Sequence, residues 1–319
     1  MTDMTSKLLS RDLLRFRRGK VSGKLSDLVF EGVTVLFLIL VCVVSLYPMI
    51  FVVSASISDP YMVGTGRMLL FPVGITWEGY KTLLAYKDLW VGYGNTIFYT
   101  LFGTVCDLMV TLPCAYSLSR KDFAPRNKVM LFFMFTMFFS GGMIPSYLNV
   151  LSLGLVDTRA FILIHGMVSV HNLIVCRTFF ANTIPWEMQE AAKLDGASDF
   201  GIFTKVILPL SKPILVVMSL YYGVGHWNSY FTEMIYLKDR AKFPLQLILK
   251  EILADAKLSA NALADMSEME DVLAMMKQQD TANLLKYGVI VAATLPMMLI
   301  YPLLQKYFEK GVMIGSVKG

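Results

Sequence analysis

A short polar and aromatic cluster in an apolar stretch is the first group of residues whose types suit chemistry. It consists of His226, Trp227, Asn228 and Tyr230. Aromatic faces and amide groups suit sugar rings, because a sugar has apolar faces and hydroxyl groups that need directional hydrogen bonds. The same residue types also suit packing between membrane-spanning helices and at the headgroup boundary. The cluster is therefore a candidate for contact with a sugar, with helix packing as the alternative.

A single carboxylate, Asp107, lies in the apolar stretch 95–119. The nine Leu, Ile, Phe and Val residues of that stretch favour membrane insertion by about 3–5 kcal/mol. A mid-helix aspartate costs about 2.5–3.5 kcal/mol, so insertion wins narrowly and Asp107 should face the interior of a helix bundle. It is either a polar contact on a substrate path or a hydrogen-bonding group that fixes helix packing.

Signatures of hydrolytic and metal chemistry are absent from the sequence. It contains no G-x-x-x-x-G-K-[ST] phosphate loop, nucleophile elbow or H-E-x-x-H motif. The four cysteines and three histidines show no metal-ligand spacing. The chain is therefore predicted to bind no metal and no cofactor and not to be an enzyme. Energy from ATP would have to come from other subunits.

The elements that position these residues are long apolar blocks. Residues of the AVILMFWYC set make up 55% of the chain and charged residues 17%, whereas a soluble domain has about 25% charged residues. This composition excludes a disordered chain and an ordinary soluble enzyme. The prediction is an all-α polytopic membrane protein with six transmembrane helices, near residues 32–58, 95–119, 129–153, 160–182, 213–237 and 287–305.

Two of these spans contain helix breakers. Pro48 should bend the first span without ending it, and Ser140-Gly141-Gly142 with Pro145 should kink the third span or end it early. The chain then divides into a basic N-terminal segment 1–31, a six-span domain 32–305 and a tail 306–319.

The distribution of lysine and arginine sets the orientation. With the N-terminus inside, 18 of the 29 cations lie in inner segments, and the loop 120–128 carries four of them. Short translocated loops rarely carry so many cations. Both termini are therefore predicted to be cytoplasmic in a multi-pass protein of a bacterial cell membrane.

The inner loop 184–213 has a helix–turn–helix pattern. Pro185 suits the first position of a helix that Asn182 or Thr183 would cap. Asp195-Gly196 should stop this helix, because glycine adopts the left-handed conformation cheaply. Ser198 should cap a second helix that runs to about Leu208.

The same loop resembles the EAA loop of ABC importer permeases. The residues that carry the resemblance are Glu190, Ala191, Ala192, Asp195, Gly196, Val206, Leu208 and Pro209. Val206 stands where the family usually has isoleucine. The longer pattern is similar to the carbohydrate branch, in particular to MalG-type second permeases. The C-terminal segment, which ends in Gly315-Ser316-Val317-Lys318-Gly319, is similar to LplC/YtcP-type permeases.

The resemblance implies a MetI-like, type I importer fold with a cytoplasmic coupling helix. It implies a second, non-identical permease, a pair of ATPase subunits that bind ATP and magnesium, an extracytoplasmic solute-binding protein and a lipid environment, without nucleic acid. Glu190 is expected to pair with a cation on the ATPase, and Gly315, Ser316, Val317, Lys318 and Gly319 are expected to contact that subunit. The implied function is a permease subunit for oligosaccharide import.

Alternatives remain open for the solute and for the outer loop 238–286. The chain could serve an importer for another small solute, or act as an autonomous secondary carrier with Asp107 and Glu233 as its ionisable groups. The absence of an evident internal repeat weighs against a carrier. In the outer loop, apolar residues at helical spacing after Pro244 predict an amphipathic helix. This helix packs either on a partner or on the protein's own surface.

Overall fold

A computed structural model describes residues 25–262 and 285–300, and within them every regular element is helical. Four sequence predictions lie at least partly outside the described residues: the segment 1–31, the loop 238–286, the sixth span and the tail 306–319 with its Gly315–Gly319 motif. The described chain forms two units. One contains residues 25–52 and 69–71, and the other contains residues 53–68, 72–262 and 285–300.

The described helices are numbered here in chain order. They are α1 Leu25–Ser56, α2 Pro60–Gly64, α3 Glu78–Ala85, α4 Lys87–Ser119, α5 Arg126–Phe138, α6 Met143–Ser152, α7 Arg159–Ile164, α8 Val170–Thr183, α9 Trp186–Leu194, α10 Asp199–Leu210, α11 Lys212–Asn228, α12 Phe231–Tyr236, α13 Leu245–Ala262 and α14 Leu285–Ile300. A 3₁₀ turn, Arg240–Lys242, precedes α13.

Helix α1 is an apolar helix of 32 residues that continues through Pro48. The prediction that this proline does not end the helix is confirmed. Residues 27–50 are all exposed, which suits a helix surrounded by lipid, because neither lipid tails nor apolar side chains need hydrogen-bond partners.

Helix α4 is the central element of the larger unit. Its 33 residues begin before the predicted block 95–119 and run through Pro113. It packs against α8, α11 and α13, and its inward residues include Asn95, Thr96, Asp107 and Thr111. The helix therefore presents a row of polar groups to its neighbours, while its exposed residues include Leu101, Phe102 and Met109.

The count of six continuous spans is not confirmed, because several predicted spans are interrupted. Among the described residues, α1 and α4 are each long and apolar enough to cross a membrane. Two further pairs of helices are bent at a short break, and up to four spans result if each pair counts as one span. Helices α5 and α6 meet at 113°, around the predicted break, where Gly142 has φ +84°. Helices α10 and α11 meet at 84°.

The fourth and fifth predicted spans are also broken in the structure. The stretch 160–182 is divided between α7 and α8, with Gly166 at φ +80° in the connection. The stretch 213–237 is divided between α11 and α12 at Ser229. A hydropathy pattern averages over such breaks, since glycine and serine do not lower the mean hydropathy of a block as a charged residue would.

The outer amphipathic helix is present as α13, and the alternative that it packs on the protein's own surface is correct for its first turns. Leu245, Leu247, Ile248 and Leu249 are at most 3% exposed. Gly92 of α4 permits this contact, because a Cβ there would lie 2.7 Å from Cδ1 of Ile248. A cluster of apolar side chains joins α13 to α3, α11 and α14.

Candidate functional site

The helix–turn–helix of loop 184–213 is present in the structure. Helix α9 is followed by Gly196 with φ +79°, a conformation that costs a residue with a Cβ about 1–2 kcal/mol. Ser198 begins the second helix, its Oγ accepting a hydrogen bond from the N–H of Gly201 at 3.1 Å. Helix α10 then contains a π-helical turn, Phe203–Ile207, before it ends at Leu210.

The predicted start of the first helix was wrong. Helix α8 extends to Thr183, and Pro185 is the residue before α9 without a side-chain cap. Asn182 and Thr183 therefore belong to the end of the preceding helix. The proline ring still restricts the backbone at the boundary between α8 and α9, which explains why α9 begins directly after Pro185.

The tip of this helix pair is an exposed surface. All residues from 193 to 200 are exposed, among them Asp195 and Gly196, and the exposed fractions of Leu194 and Phe200 are 89% and 75%. No other part of the described chain covers these two large apolar side chains. We call residues 186–200 the coupling loop below, after the role that the resemblance predicts for them.

The candidate residues of the EAA pattern differ in their exposure. Glu190, Ala191 and Pro209 are exposed, whereas Ala192 and Leu208 are partly buried and pack against the apolar core. The Nε1–H of Trp186 donates a hydrogen bond to Oε1 of Glu190 at 2.7 Å. This contact orients the carboxylate within one helical turn, since the two residues are separated by four positions.

Three polar contacts, which sequence reasoning missed, connect the coupling loop to the end of α4. The hydroxyl of Tyr116 donates to Oε1 of the buried Gln189 at 3.2 Å. Nη1 of Arg120 lies 2.8 Å from Oδ1 of Asp199. Nζ of Lys193 lies 3.2 Å from Oδ2 of Asp122. Each pair joins residues far apart in sequence, and no local pattern signals them.

Arg120 and Asp122 are also bonded to each other. Nε of Arg120 donates to Oδ1 of Asp122 at 2.9 Å, and Nη2 donates to Oδ2. This two-point geometry matches a planar guanidinium to a carboxylate. The hydrogen bonds from Arg120 hold the pKa of Asp122 well below its usual range, with Lys193 adding to the effect. Asp122 is therefore ionised at neutral pH and keeps the network charged.

A cavity of about 550 Å³ lies beside this network. Its wall combines the charged groups of the network with aromatic side chains from α4, the following loop and α10, namely Tyr116, Phe123, Phe200 and Phe203. The ring centroids of Tyr116 and Phe203 are 5.4 Å apart. The cavity belongs to the same region as the coupling loop.

A second polar group joins two helices in the interior. Nε2 of His226 on α11 lies 2.7 Å from Oδ2 of Asp107 on α4, and Asp107 is 1% exposed. The prediction that Asp107 faces the bundle interior is confirmed. Oδ1 of Asp107 and the hydroxyls of Thr100 and Thr104 are buried without a hydrogen-bond partner. The interface between α4 and α11 is therefore polar at this level.

The remaining members of the aromatic cluster do not converge with His226. Trp227 is 4% exposed and packs with Leu89 and Leu245, while its Nε1–H donates to the carbonyl of Ala293 at 3.0 Å. Trp227 is thus a packing residue in this structure. Asn228 is exposed and bonds back to the carbonyl of Val224.

Tyr230 and Glu233 lie beyond the end of α11. The ammonium of Lys250 lies 4.3 Å from the centroid of the Tyr230 ring, which is a cation–π distance. Glu233 is 3% exposed and accepts a hydrogen bond from Oγ of Ser229 at 2.9 Å. Both residues thus have contacts within the chain.

The N-terminal half of α4 is hydrogen-bonded to the turn before α13. Nδ2 of Asn95 donates to the carbonyls of Ala241 and Phe243 at 2.9 and 3.0 Å. Oγ1 of Thr96 accepts the N–H of Leu245 at 2.7 Å and so satisfies a donor at the start of α13. These contacts give Asn95 a structural role that sequence reasoning did not assign.

Asp157 fastens the same turn from the other side. Its backbone has φ +60°, and its Oδ1 accepts the N–H groups of Lys238 and Asp239 at 3.0 and 3.1 Å. These two hydrogen bonds, together with Lys242, lower the pKa of Asp157. Within residues 25–262 and 285–300, no three His, Cys, Asp or Glu side chains are arranged to hold a metal ion.

Comparison with a family profile gives a match over most of the chain. The family described as "Binding-protein-dependent transport system inner membrane component" matches residues 89–314. The match includes α4, the coupling loop and α13.

Two curated relatives from Bacillus subtilis (strain 168) are similar over nearly the whole chain. The "Polygalacturonan/rhamnogalacturonan transport system permease protein YtcP" is 39% identical over 303 residues, which are 94% of this chain and 100% of that protein. "Protein LplC" is 37% identical over 91% of this chain and 95% of that protein.

A solved structure shares the fold. The crystal structure of a bacterial ABC transporter involved in the import of the acidic polysaccharide alginate contains a chain with 36% sequence identity and a TM-score of 0.78. The match covers 90% of this chain and 99% of that chain. The mostly helical fold is therefore shared with a protein of known structure.

Proposed function

Because the chain belongs to the family of binding-protein-dependent transport system inner membrane components, we propose that it forms the translocation path of an ATP-driven importer for oligosaccharides together with a second permease. The chain is a transporter subunit and not an enzyme. The observation that carries the proposal is the 39% identity to a permease of polygalacturonan and rhamnogalacturonan transport over the full length of that protein.

Acidic oligosaccharides are the substrate class that we propose. The full-length relative is named for polygalacturonan and rhamnogalacturonan, and the structural relative takes part in import of an acidic polysaccharide, alginate. Polygalacturonan and alginate both consist of uronic acids, whose carboxylates distinguish them from neutral glucans. An oligosaccharide of a few uronic acid units is therefore the proposed cargo.

The coupling loop is the proposed contact with the ATPase. Its exposed apolar residues Leu194 and Phe200 and the exposed carboxylate of Glu190 would meet a groove and a cation of that subunit. ATP and magnesium would be held by the ATPase pair. ATP must favour one arrangement of the assembly over another for its binding to move the loop.

The orientation and the other partners complete the proposal. The coupling loop and both termini would lie in the cytoplasm of a bacterial cell, as the lysine and arginine distribution predicts. A solute-binding protein would deliver the cargo on the opposite side. The His226–Asp107 region would border the path, while Trp227 would pack against the neighbouring helices.

Transport by the assembled importer tests the function and the substrate class. Proteoliposomes containing this chain, its second permease, the ATPase pair and the binding protein should take up radiolabelled trigalacturonate only with ATP, and should take up maltotriose much less. Preference for maltotriose would contradict the acidic substrate class. Uptake of trigalacturonate without the ATPase pair would contradict an ABC importer and favour a secondary carrier.

A further inference from the structure

The contacts at the end of α4 show how movement of the coupling loop can reach the membrane helices. Residues 193–200 are exposed throughout, and the first fully buried side chain after them is Ile202. Apolar packing therefore holds the body of α10 but does not hold the turn before it. The side chain that ties this turn to α4 is Asp199, through Arg120.

Arg120 is suited to this task because one guanidinium serves two contacts. Its side chain is only 10% exposed, whereas that of Asp199 is 72% exposed. The pair with Asp199 alone would be weak, since water screens an exposed carboxylate. The two-point bond to Asp122 orients the guanidinium toward Asp199. Asp122 in turn bonds Lys193 on α9, so the network around Arg120 reaches both helices of the loop.

The backbone at Arg120 is itself fixed. Its carbonyl accepts a hydrogen bond from Nη1 of Arg126 at 2.7 Å, and its guanidinium carbon lies 5.8 Å from the ring centroid of Tyr116. Tyr116 also bonds Gln189 of α9. A force on the turn thus acts on a residue that is anchored at the end of α4, and α4 contacts α8, α11 and α13.

We propose that Arg120 is the positioning residue that makes the coupling loop and α4 move together when the ATPase changes state. The proposal rests on the proposed function, because it needs an ATPase that moves the loop. Lysine would not replace Arg120 fully, since an ammonium group lacks the planar fork that grips Asp122 while it reaches Asp199.

A distance measurement in the complete importer tests the proposal without a sugar. Spin labels are attached at Leu194→Cys in the loop and Met109→Cys on α4, both exposed positions, in a chain whose four native cysteines are replaced. Their separation is compared without nucleotide and after trapping with ATP and vanadate. In the otherwise unaltered chain the separation should stay constant. In Arg120→Ala it should shift or broaden on trapping.

Control variants separate positioning from a loss of charge or of fold. Lys121→Ala removes an exposed cation next to Arg120 and should behave as the unaltered chain does. Arg120→Lys should lie between the unaltered chain and Arg120→Ala. A separation that changes on trapping in the unaltered chain, or one that stays constant in Arg120→Ala, would overturn the proposal.

A second label pair separates this proposal from the proposed function. The label at Leu194→Cys should show a short distance to a label on the ATPase subunit in the unaltered complex. Absence of that signal would contradict the coupling role of the loop itself. With that signal present, the Leu194–Met109 result decides the role of Arg120 alone.

Discussion

Nε2 of His226 lies 2.7 Å from Oδ2 of Asp107 across the interface between α4 and α11. The side chains are 14% and 2% exposed, so each is the other's polar partner in a region where water does not compete. The other carboxylate oxygen of Asp107 is buried without a partner. This half-satisfied pair holds α4 to α11 at the level where the sequence placed candidate path residues.

We expect Asp107→Ala to destabilise the folded chain by about 1–3 kcal/mol, because it leaves the imidazole of His226 buried without its partner. His226→Ala should also be destabilising, since it isolates a buried carboxylate. The double variant should cost less than the sum of the two, as is usual for residues in contact. Thermal unfolding of the purified protein in detergent measures these effects. Additive effects would show that the pair does not interact.

Gly103→Ala should weaken the same interface, because a Cβ at Gly103 would lie 2.6 Å from Nε2 of His226. The imidazole must move, and its bond to Asp107 must lengthen or break. Gly94→Ala on the same helix is the matched control, since a Cβ there meets nothing within 4 Å. Because alanine is favoured over glycine in a helix by about 1 kcal/mol, Gly94→Ala should be neutral or stabilising. Equal unfolding temperatures for the two variants would contradict the expected clash.

Glu190→Ala and Gly196→Val should abolish ATP-dependent uptake while the chain still inserts into the membrane. Gly196 has φ +79° and free space around it, so valine there acts through the backbone and not through a clash. Gly154→Val is the matched control, because Gly154 has φ +67° with nothing within 4 Å and lies outside the coupling loop. Both glycine variants should be destabilised to a similar extent. Normal uptake by Gly196→Val would exclude the proposed coupling role.

Asp157 should make the turn before α13 sensitive to acid. Its pKa is lowered in the folded chain from an ordinary value of 3.8 by the N–H groups of Asp239 and Lys238. Its ionised form therefore stabilises folding above pH 3.8, and this contribution is lost as the pH falls through the lowered pKa. Asp157→Asn should be less stable than the unaltered chain at pH 7, and the difference should vanish in strong acid.

Unfolding of both proteins between neutral pH and about pH 1, well below the ordinary pKa of aspartate, measures this difference. Asp195→Asn provides the control, because it removes an exposed carboxylate from a different loop. A constant difference between Asp157→Asn and the unaltered chain at all pH values would show that the charge of Asp157 does not contribute.

The sequence by itself determined the features that depend on residues close to one another along the chain. Apolar blocks indicated a helical membrane protein, the Gly196 turn divided the coupling loop into two helices, and the spacing after Pro244 predicted α13. Each of these follows from local preferences of the backbone or from burial at a helical period. The motif of the coupling loop identified the family for the same reason, since its residues lie within one short segment.

Only the tertiary structure decided which distant residues meet and where the fourth and fifth predicted spans break. Asp107 and His226 are 119 positions apart, and Arg120 and Asp199 are 79 positions apart. Such pairs depend on how whole helices pack. The division of the predicted spans at 165–169 and 229–230 likewise depends on neighbours that satisfy the freed backbone groups, whereas the break at 139–142 was already indicated by Gly141 and Gly142. Trp227 packs in the interior for the same reason, because the apolar cluster around it comes from four other helices, α3, α4, α13 and α14.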